Sequence, residues 1–215
     1  MPEPRLNHPR LDWTGLRQWT ASIAAIELSQ QQLEQLRAYV EVLLLWNRKL
    51  ALVSQRDPGQ ILSKHVADSL FAAGYCPDGG AVVDLGSGAG FPGLVIAIAR
   101  PNARVSLVES RGHKATFLEE ARRASAARNV TVCNARIESL ATHPEHRGRY
   151  AVATARALAT TTAVVALARP FLTPGGRVIA MRAVGEPRSA DPPEAEVAEY
   201  GLPDHTPRRL LIVRP

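Results

Sequence analysis

Residues 82–93 read VVDLGSGAGFPG. A β-rich apolar run meets one acid, Asp84, and four glycines then fall within eight positions. Glycines after a strand let the backbone turn through positive φ and come close to a bound molecule. Gly88, Gly90 and Gly93 also fit the spacing G-x-G-x-x-G, in which a pyrophosphate lies over the start of a helix. The stretch therefore predicts strand, ligand-holding turn and helix in that order, the opening unit of an α/β sheet.

Downstream of this unit the texture keeps alternating. The β-rich runs are AVVDL (81–85), RVSLVE (104–109), NVTVC (129–133), YAVATA (150–155), RVIAMR (177–182) and RLLIV (209–213). Helical stretches lie between them, near 92–99, 112–127, 160–170 and 192–199, and GEPRSADPPE (185–194) reads as a loop. Such alternation predicts a mostly parallel, Rossmann-like sheet wrapped by helices, with its ligand-binding strand ends on one edge.

Upstream the pattern is helical. Ser29 and Gln32 form a capping-box pair, and Leu33, Leu36, Val40 and Leu43 recur at helical spacing, predicting a helix over 30–49. Asp57-Pro58 is a cap followed by a first-turn proline, predicting a second helix over 58–73. Trp13 and Trp19 read as helix-packing anchors. The chain thus divides into an N-terminal helical extension, residues 1–75, packed on a sheet domain over 76–215.

With 215 residues, 46% of them apolar, the chain can bury a substantial core. No apolar run approaches the roughly 20 residues of a membrane helix, and the start MPEPRLNHPR lacks a signal-peptide core. Cys76 and Cys133 lack metal-ligand spacing, which predicts neither a disulfide nor a zinc site and points to the cytoplasm. Lys and Arg number 26 against 20 Asp and Glu, for a net charge of +6. Lys49, Lys64 and Lys114 are the only lysines, so arginine, whose planar fork suits phosphate, dominates. A compositional bias of an alanine-rich chain explains this equally well, so basicity alone does not assign a nucleic-acid partner.

Asp84 discriminates between ligands. A carboxylate at the strand exit repels a diphosphate but attracts a cofactor carrying an ammonium and a sulfonium, as S-adenosylmethionine does. The competing structural reading is that Asp84 caps the helix over 92–99. Glu109 ends the second strand, 23 residues after Gly86, where an acid accepts hydrogen bonds from the ribose diol of either cofactor class. Beyond the third strand, Ile137 and Glu138 in CNARIESL (133–140) are placed to meet adenine. Arg156 follows the fourth strand and faces cofactor or an RNA phosphate. Cytosine C5 chemistry would need a thiolate, yet Cys133 lies within a strand and Cys76 just before one. Asp191-Pro192-Pro193 lacks the aromatic of an amine-methylase turn, since Glu194 follows, and reads as a helix start.

DLGSGAGFPG together with HVADSL (65–70), WNRKLALVS (46–54) and TARAL (154–158) resembles the bacterial ribosomal small-subunit methyltransferase G family, also called the glucose-inhibited division protein B family. The resemblance runs from about residue 36 to 182. It implies a class I S-adenosylmethionine-dependent fold and N7-methylation of one guanine in the decoding region of 16S ribosomal RNA. It implies RNA or the small ribosomal subunit as partner, and a monomer. By position it puts cofactor contacts on Gly86, Phe91, Ile137, Glu138 and Arg156, beside Asp84, Gly88 and Glu109 from the residues themselves. Arg48, Lys49, His65, Arg156 and Arg182 are the candidates for RNA contact, and no catalytic side chain or metal is assigned. The chain departs from the family's pattern at Ala51, where many relatives have asparagine, and at Arg182-Ala183, where a lysine-glycine pair is usual. Thr154 likewise stands where serine is common. Left open are a class I methyltransferase acting on a small molecule or protein, a nicotinamide oxidoreductase, and a cofactor-free RNA-binding protein.

Overall fold

The capping box forms as its sequence predicts: Ser29 Oγ accepts from Gln32 N at 3.2 Å and Gln32 Oε1 accepts from Ser29 N at 2.9 Å. It starts α2 (Gln30–Leu50), whose Leu33, Leu36, Val40 and Leu43 turn inward and which stops where Ala51 takes φ 45°. A computed structural model describes residues 12–183 and 191–215. Before α2 lies α1 (Trp13–Ile23), with Trp13 and Trp19 half-buried against the core. Trp46 meets Phe117 edge-on at 5.9 Å, a packing contact.

The helix expected over 58–73 is a composite. After α3 (Pro58–Ile61), capped by Asp57, comes a π-helical turn at Leu62–Val66 and then α4 (Ala67–Gly74). The wider turn changes which way its residues point and so sets the direction of His65. An apolar period near 3.6 carries no signal for it.

Seven strands follow: β1 (Ala81–Leu85), β2 (Arg104–Val108), β3 (Val130–Cys133), β4 (Tyr150–Arg156), β5 (Leu172–Ala183), β6 (Glu196–Gly201) and β7 (Pro207–Val213). Their order in the sheet is β3-β2-β1-β4-β5-β7-β6. The first five are parallel, whereas β7 runs antiparallel to β5 and to β6. Helices α1, α2, α4, α5 (Gly93–Ala99) and α6 (Gly112–Ala124) cover one face, where Leu36, Leu70, Leu94 and Phe117 join Val82, Leu107 and Ile179. On the other face α7 (Ile137–Leu140) and α8 (Thr161–Ala168) bury Leu140, Val164 and Ala168 against Val83, Leu85 and Val178. Strand order reverses between β1 and β4, the point at which open α/β sheets leave a crevice for ligands.

The helix expected over 192–199 is not there. Glu196–Gly201 instead forms β6, paired along β7 from Glu196 with Ile212 to Gly201 with Pro207. Tyr200 is buried while Val197 and Glu199 are exposed, the period-2 signature of a strand. Pairing with a neighbouring strand overrides the local preference of this Glu- and Ala-rich segment. Of the expected loop over 185–194, residues 185–190 lie outside the described residues.

One carboxylate locks the first strand to the elements around it. Asp84 is 1% exposed; its Oδ2 accepts from Gly93 N at 3.2 Å, at the start of α5, and its Oδ1 from Thr154 Oγ1 at 2.8 Å, on β4. A Cβ on Gly93 would lie 2.6 Å from Asp84 Cβ, so only glycine lets α5 come this close. Burial pushes the Asp84 carboxyl up to about 6, against the pull of hydrogen bonds from Thr154, Ser87 and Gly93.

The folded chain therefore keeps a proton on Asp84 between 3.8 and about 6, where the unfolded chain has lost it. Stability from this group is full below that window and falls as pH rises through it. Asp84→Asn is expected to remove this fall, as read by urea unfolding on both sides of the window. Gly93→Ala is expected to cost about 1–3 kcal/mol by overpacking, in the same measurement.

Candidate active site

The turn after β1 is held from below, from the side and from above. Gly86 N and Ser87 N donate to Val108 O at 2.9 and 3.0 Å, and Gly88 N donates to Glu109 Oε2 at 3.0 Å. Tyr39 on α2 donates its hydroxyl to Ala89 O at 2.5 Å. Gly86 has φ 71°, and a Cβ there would lie 2.8 Å from Leu158 Cδ1, so any side chain would crowd the residue that follows β4. The result is a rigid backbone cradle at the switch point of the sheet.

Glu109, 7% exposed, closes the side of this cradle, its Oε1 accepting from Arg111 N at 2.8 Å. Asn134 Nδ2 donates to Glu109 O at 2.9 Å and draws the β3 exit toward it. Ile137, half-buried, and Glu138, exposed, open α7 at that exit. The structure thus brings Gly86, Gly88, Glu109, Ile137 and Glu138 together along the exits of β1, β2 and β3. Asp84 is buried behind the turn, and its contact with Gly93 N is the helix-capping geometry that stood as the alternative to cation attraction. Thr154, which departs from the family's serine, is one of its hydrogen-bond partners.

A second group of side chains gathers across the turn. His65 stacks on Phe91 with ring centres 5.1 Å apart, and Phe91 packs on Tyr39 at 5.4 Å. Arg156 lies over Phe91 at 5.9 Å and donates from Nη2 to His65 Nδ1 at 2.6 Å. Since Nδ1 accepts, the ring proton sits on Nε2 and is given to Gln55 Oε1 at 2.6 Å. Burial pushes His65 down to about 3, with Arg156 adding to the effect, so the imidazole is neutral. Asp68 and Ser69 turn inward from α4: Ser69 Oγ donates to His65 O at 2.7 Å, and Asp68 Oδ1 accepts from Tyr200 at 2.5 Å.

The remaining candidates scatter. Arg48 and Lys49 are exposed at the end of α2. Arg182 braces the loop after β4, donating from Nε to Thr161 Oγ1 at 3.2 Å and from Nη2 to Ala159 O at 2.5 Å. It holds the site's frame instead of facing outward with Arg48 and Lys49. Burial pushes the Cys76 thiol up to about 12 and raises that of Cys133 as well, so neither is a thiolate nucleophile. Gln55, Tyr200 and Arg208 escaped the sequence reading. Gln55 sits in a loop without a motif, and the other two belong to a hairpin whose first strand reads as helix.

Residues 32–197 match the family described as rRNA small subunit methyltransferase G. The ribosomal RNA small subunit methyltransferase G of Roseiflexus sp. (strain RS-1) is 41% identical over 164 residues, covering 75% of this chain and 69% of that protein. Its counterpart in Chloroflexus aggregans is 36% identical over 211 residues, covering 90% of this chain and 86% of that one. Among solved structures, a mutant of MtNAS in complex with S-adenosylmethionine superposes with a TM-score of 0.55 at 14% identity, over 97% of this chain and 80% of that one. Precorrin-6y C5,15-methyltransferase from Geobacter metallireducens gives 0.53 at 14% identity, over 77% and 92%. At that identity the two structures share the fold, which is that of class I methyltransferases. The family match and the close relatives agree across most of the sequence: the chain belongs to the rRNA small subunit methyltransferase G family.

Proposed function

We propose that this chain transfers a methyl group from S-adenosylmethionine to N7 of a guanine in 16S ribosomal RNA, free or within the small subunit, acting as a monomer in the cytoplasm. One observation carries the reading: in a chain of this family, Gly86, Gly88, Glu109, Ile137 and Glu138 meet at the exits of three adjacent parallel strands. The residues fit the cofactor. Each Glu109 oxygen accepts a single backbone N–H, so a lone pair on each remains for a ribose diol. Ile137 offers an apolar face to adenine beside the polar Glu138.

When bound, S-adenosylmethionine supplies an electrophilic methyl group on a sulfonium. The chain's own residues position and orient. Gly86 and Gly88 keep the cradle free of side chains, Glu109 holds the ribose, and Phe91 with Arg156 walls the side toward the acceptor. Guanine N7 already presents a lone pair, so no side chain has to remove a proton. In keeping with that, both nitrogens of neutral His65 are engaged, and it sets Arg156 in place instead of acting as a base. Holding two reactants in line can supply up to about 7–11 kcal/mol of the barrier, which makes positioning a sufficient mechanism. The target guanine must be unstacked to reach such a crevice.

Incubating the chain with methyl-labelled S-adenosylmethionine and unmodified 16S rRNA or 30S particles, then mapping the label, tests the assignment. Label at guanine N7 is the expected result; label on another base atom, or on protein alone, contradicts it. Gly86→Asp is expected to abolish cofactor binding in calorimetry while thermal unfolding stays cooperative. Retained affinity would remove the turn from the cofactor site.

A further inference from the structure

At the carboxyl edge of the sheet two guanidinium groups share one carboxylate. Asp68 is 2% exposed; its Oδ2 lies 3.7 Å from Arg156 Nη2 and its Oδ1 lies 3.8 Å from Arg208 Nε. Both separations are too long for hydrogen bonds, and Oδ1 is taken by the Tyr200 hydroxyl. Arg156 Nη1 and Arg208 Nε are buried with no hydrogen-bond partner among the described residues. His65 adds no charge, and Lys64 lies half-buried beside it. One negative charge therefore faces two fixed positive ones, with N–H donors left over. The unbalanced positive charge of two guanidiniums against one carboxylate calls for an anion at their exposed parts. The pair is open to one: 17% of the Arg156 side chain and 21% of the Arg208 side chain remain exposed.

Strand order indicates which anion. Arg208 pairs with Ala183 at the end of β5 and with Tyr200 on β6, so it stands at the same edge as the glycine turn. Along the sheet, however, β7 follows β1, β4 and β5 in order. At about 4.8 Å per strand the root of Arg208 lies roughly 14 Å from the strand that carries the turn. Of the cofactor candidates, Gly86, Gly88, Glu109, Ile137 and Glu138 lie over β1, β2 and β3, and Arg156 at the end of β4 stands between them and Arg208. An anion at Arg208 thus lies on the acceptor's side, where the repeating anion of an RNA substrate is its phosphate backbone.

We propose that Arg208, together with Arg156, forms a pocket for a backbone phosphate of the substrate RNA flanking the target guanine. Asp68 and Tyr200 are its positioning residues: the shared carboxylate keeps the two like charges from splaying apart, and the tyrosine hydroxyl fixes the carboxylate. The planar fork of arginine suits the oxygens of a phosphate. The pocket rests on the RNA-methylation reading above and extends it to a residue and a strand pair outside the cofactor crevice.

The test compares the unaltered full chain with Arg208→Gln and Arg208→Lys, using unmethylated 16S rRNA over a range of salt, and S-adenosylmethionine alone by calorimetry. Arg208→Gln is expected to weaken RNA binding roughly tenfold and to lower the slope of log affinity against log salt by about 0.7–0.9. Arg208→Lys is expected to restore the slope, and cofactor affinity is expected to stay within about twofold of the unaltered chain. A neutral methylphosphonate at the phosphates flanking the guanine should weaken the unaltered chain to a similar degree and leave Arg208→Gln indifferent. Should Arg208→Gln not fold, the methylphosphonate RNAs decide on the unaltered chain: no effect at any flanking phosphate overturns the pocket. An unchanged salt slope in Arg208→Gln overturns it too, as does loss of cofactor affinity with RNA binding intact, which would give the anion to the cofactor. If the unaltered chain methylates no ribosomal RNA, the function itself fails upstream of the pocket.

Discussion

The crevice depends on the placement of Asp84. A single buried carboxylate takes a backbone N–H from the first residue of α5 and a hydroxyl from β4, so one side chain fixes strand, turn and helix relative to the neighbouring strand. The cost of burying it is visible in its raised proton affinity. What that cost secures is geometry. With α5 held against β1 through Gly93, the intervening turn has to pass through Gly86, Gly88 and Gly90, all at positive φ. The turn then sits over the carboxyl ends of β1 and β2, where Glu109 reaches it.

From that frame the site divides along the sheet. Toward β2 and β3 the groups are an acid and an apolar edge, the chemistry of a nucleoside. Toward β4, β5 and β7 they are guanidiniums and aromatic rings, with a histidine kept neutral by burial and by the arginine it touches. The π-helical turn matters here because it points His65 at Phe91 and Arg156. None of these groups is a strong base, and a lone-pair nucleophile such as guanine N7 asks for none. The arrangement favours holding two ligands in line over proton transfer.

Much of this was legible because the signals are local. The glycine spacing, the acid that ends β2, the alternation of strands with helices and the capping box at Ser29 each depend on residues a few positions apart. What was missed depends on distant partners. Glu196–Gly201 looks helical by itself and becomes a strand only because Pro207–Val213 lies beside it. With that hairpin misread, Tyr200 and Arg208 could not be placed near Asp68. Gln55 is seen to matter only once His65 is known to point at it. Asp84 was found but its direction was not, since both faces of β1 are buried and its neighbours Val83 and Leu85 show no polar side to read. Capping of the following helix was the alternative weighed against cation attraction, and the capping contact is the one that the geometry displays.

The most direct measurement of this account is the titration of the Asp84 carboxyl carbon by NMR, with and without S-adenosylmethionine. A clamp buried inside the protein is expected to titrate at about 6 in the free chain and to stay above 3.8 when the cofactor is saturating. A midpoint at 3.8 in the free chain would contradict the burial, and a fall below it on adding the cofactor would show the carboxylate meeting the sulfonium or ammonium directly.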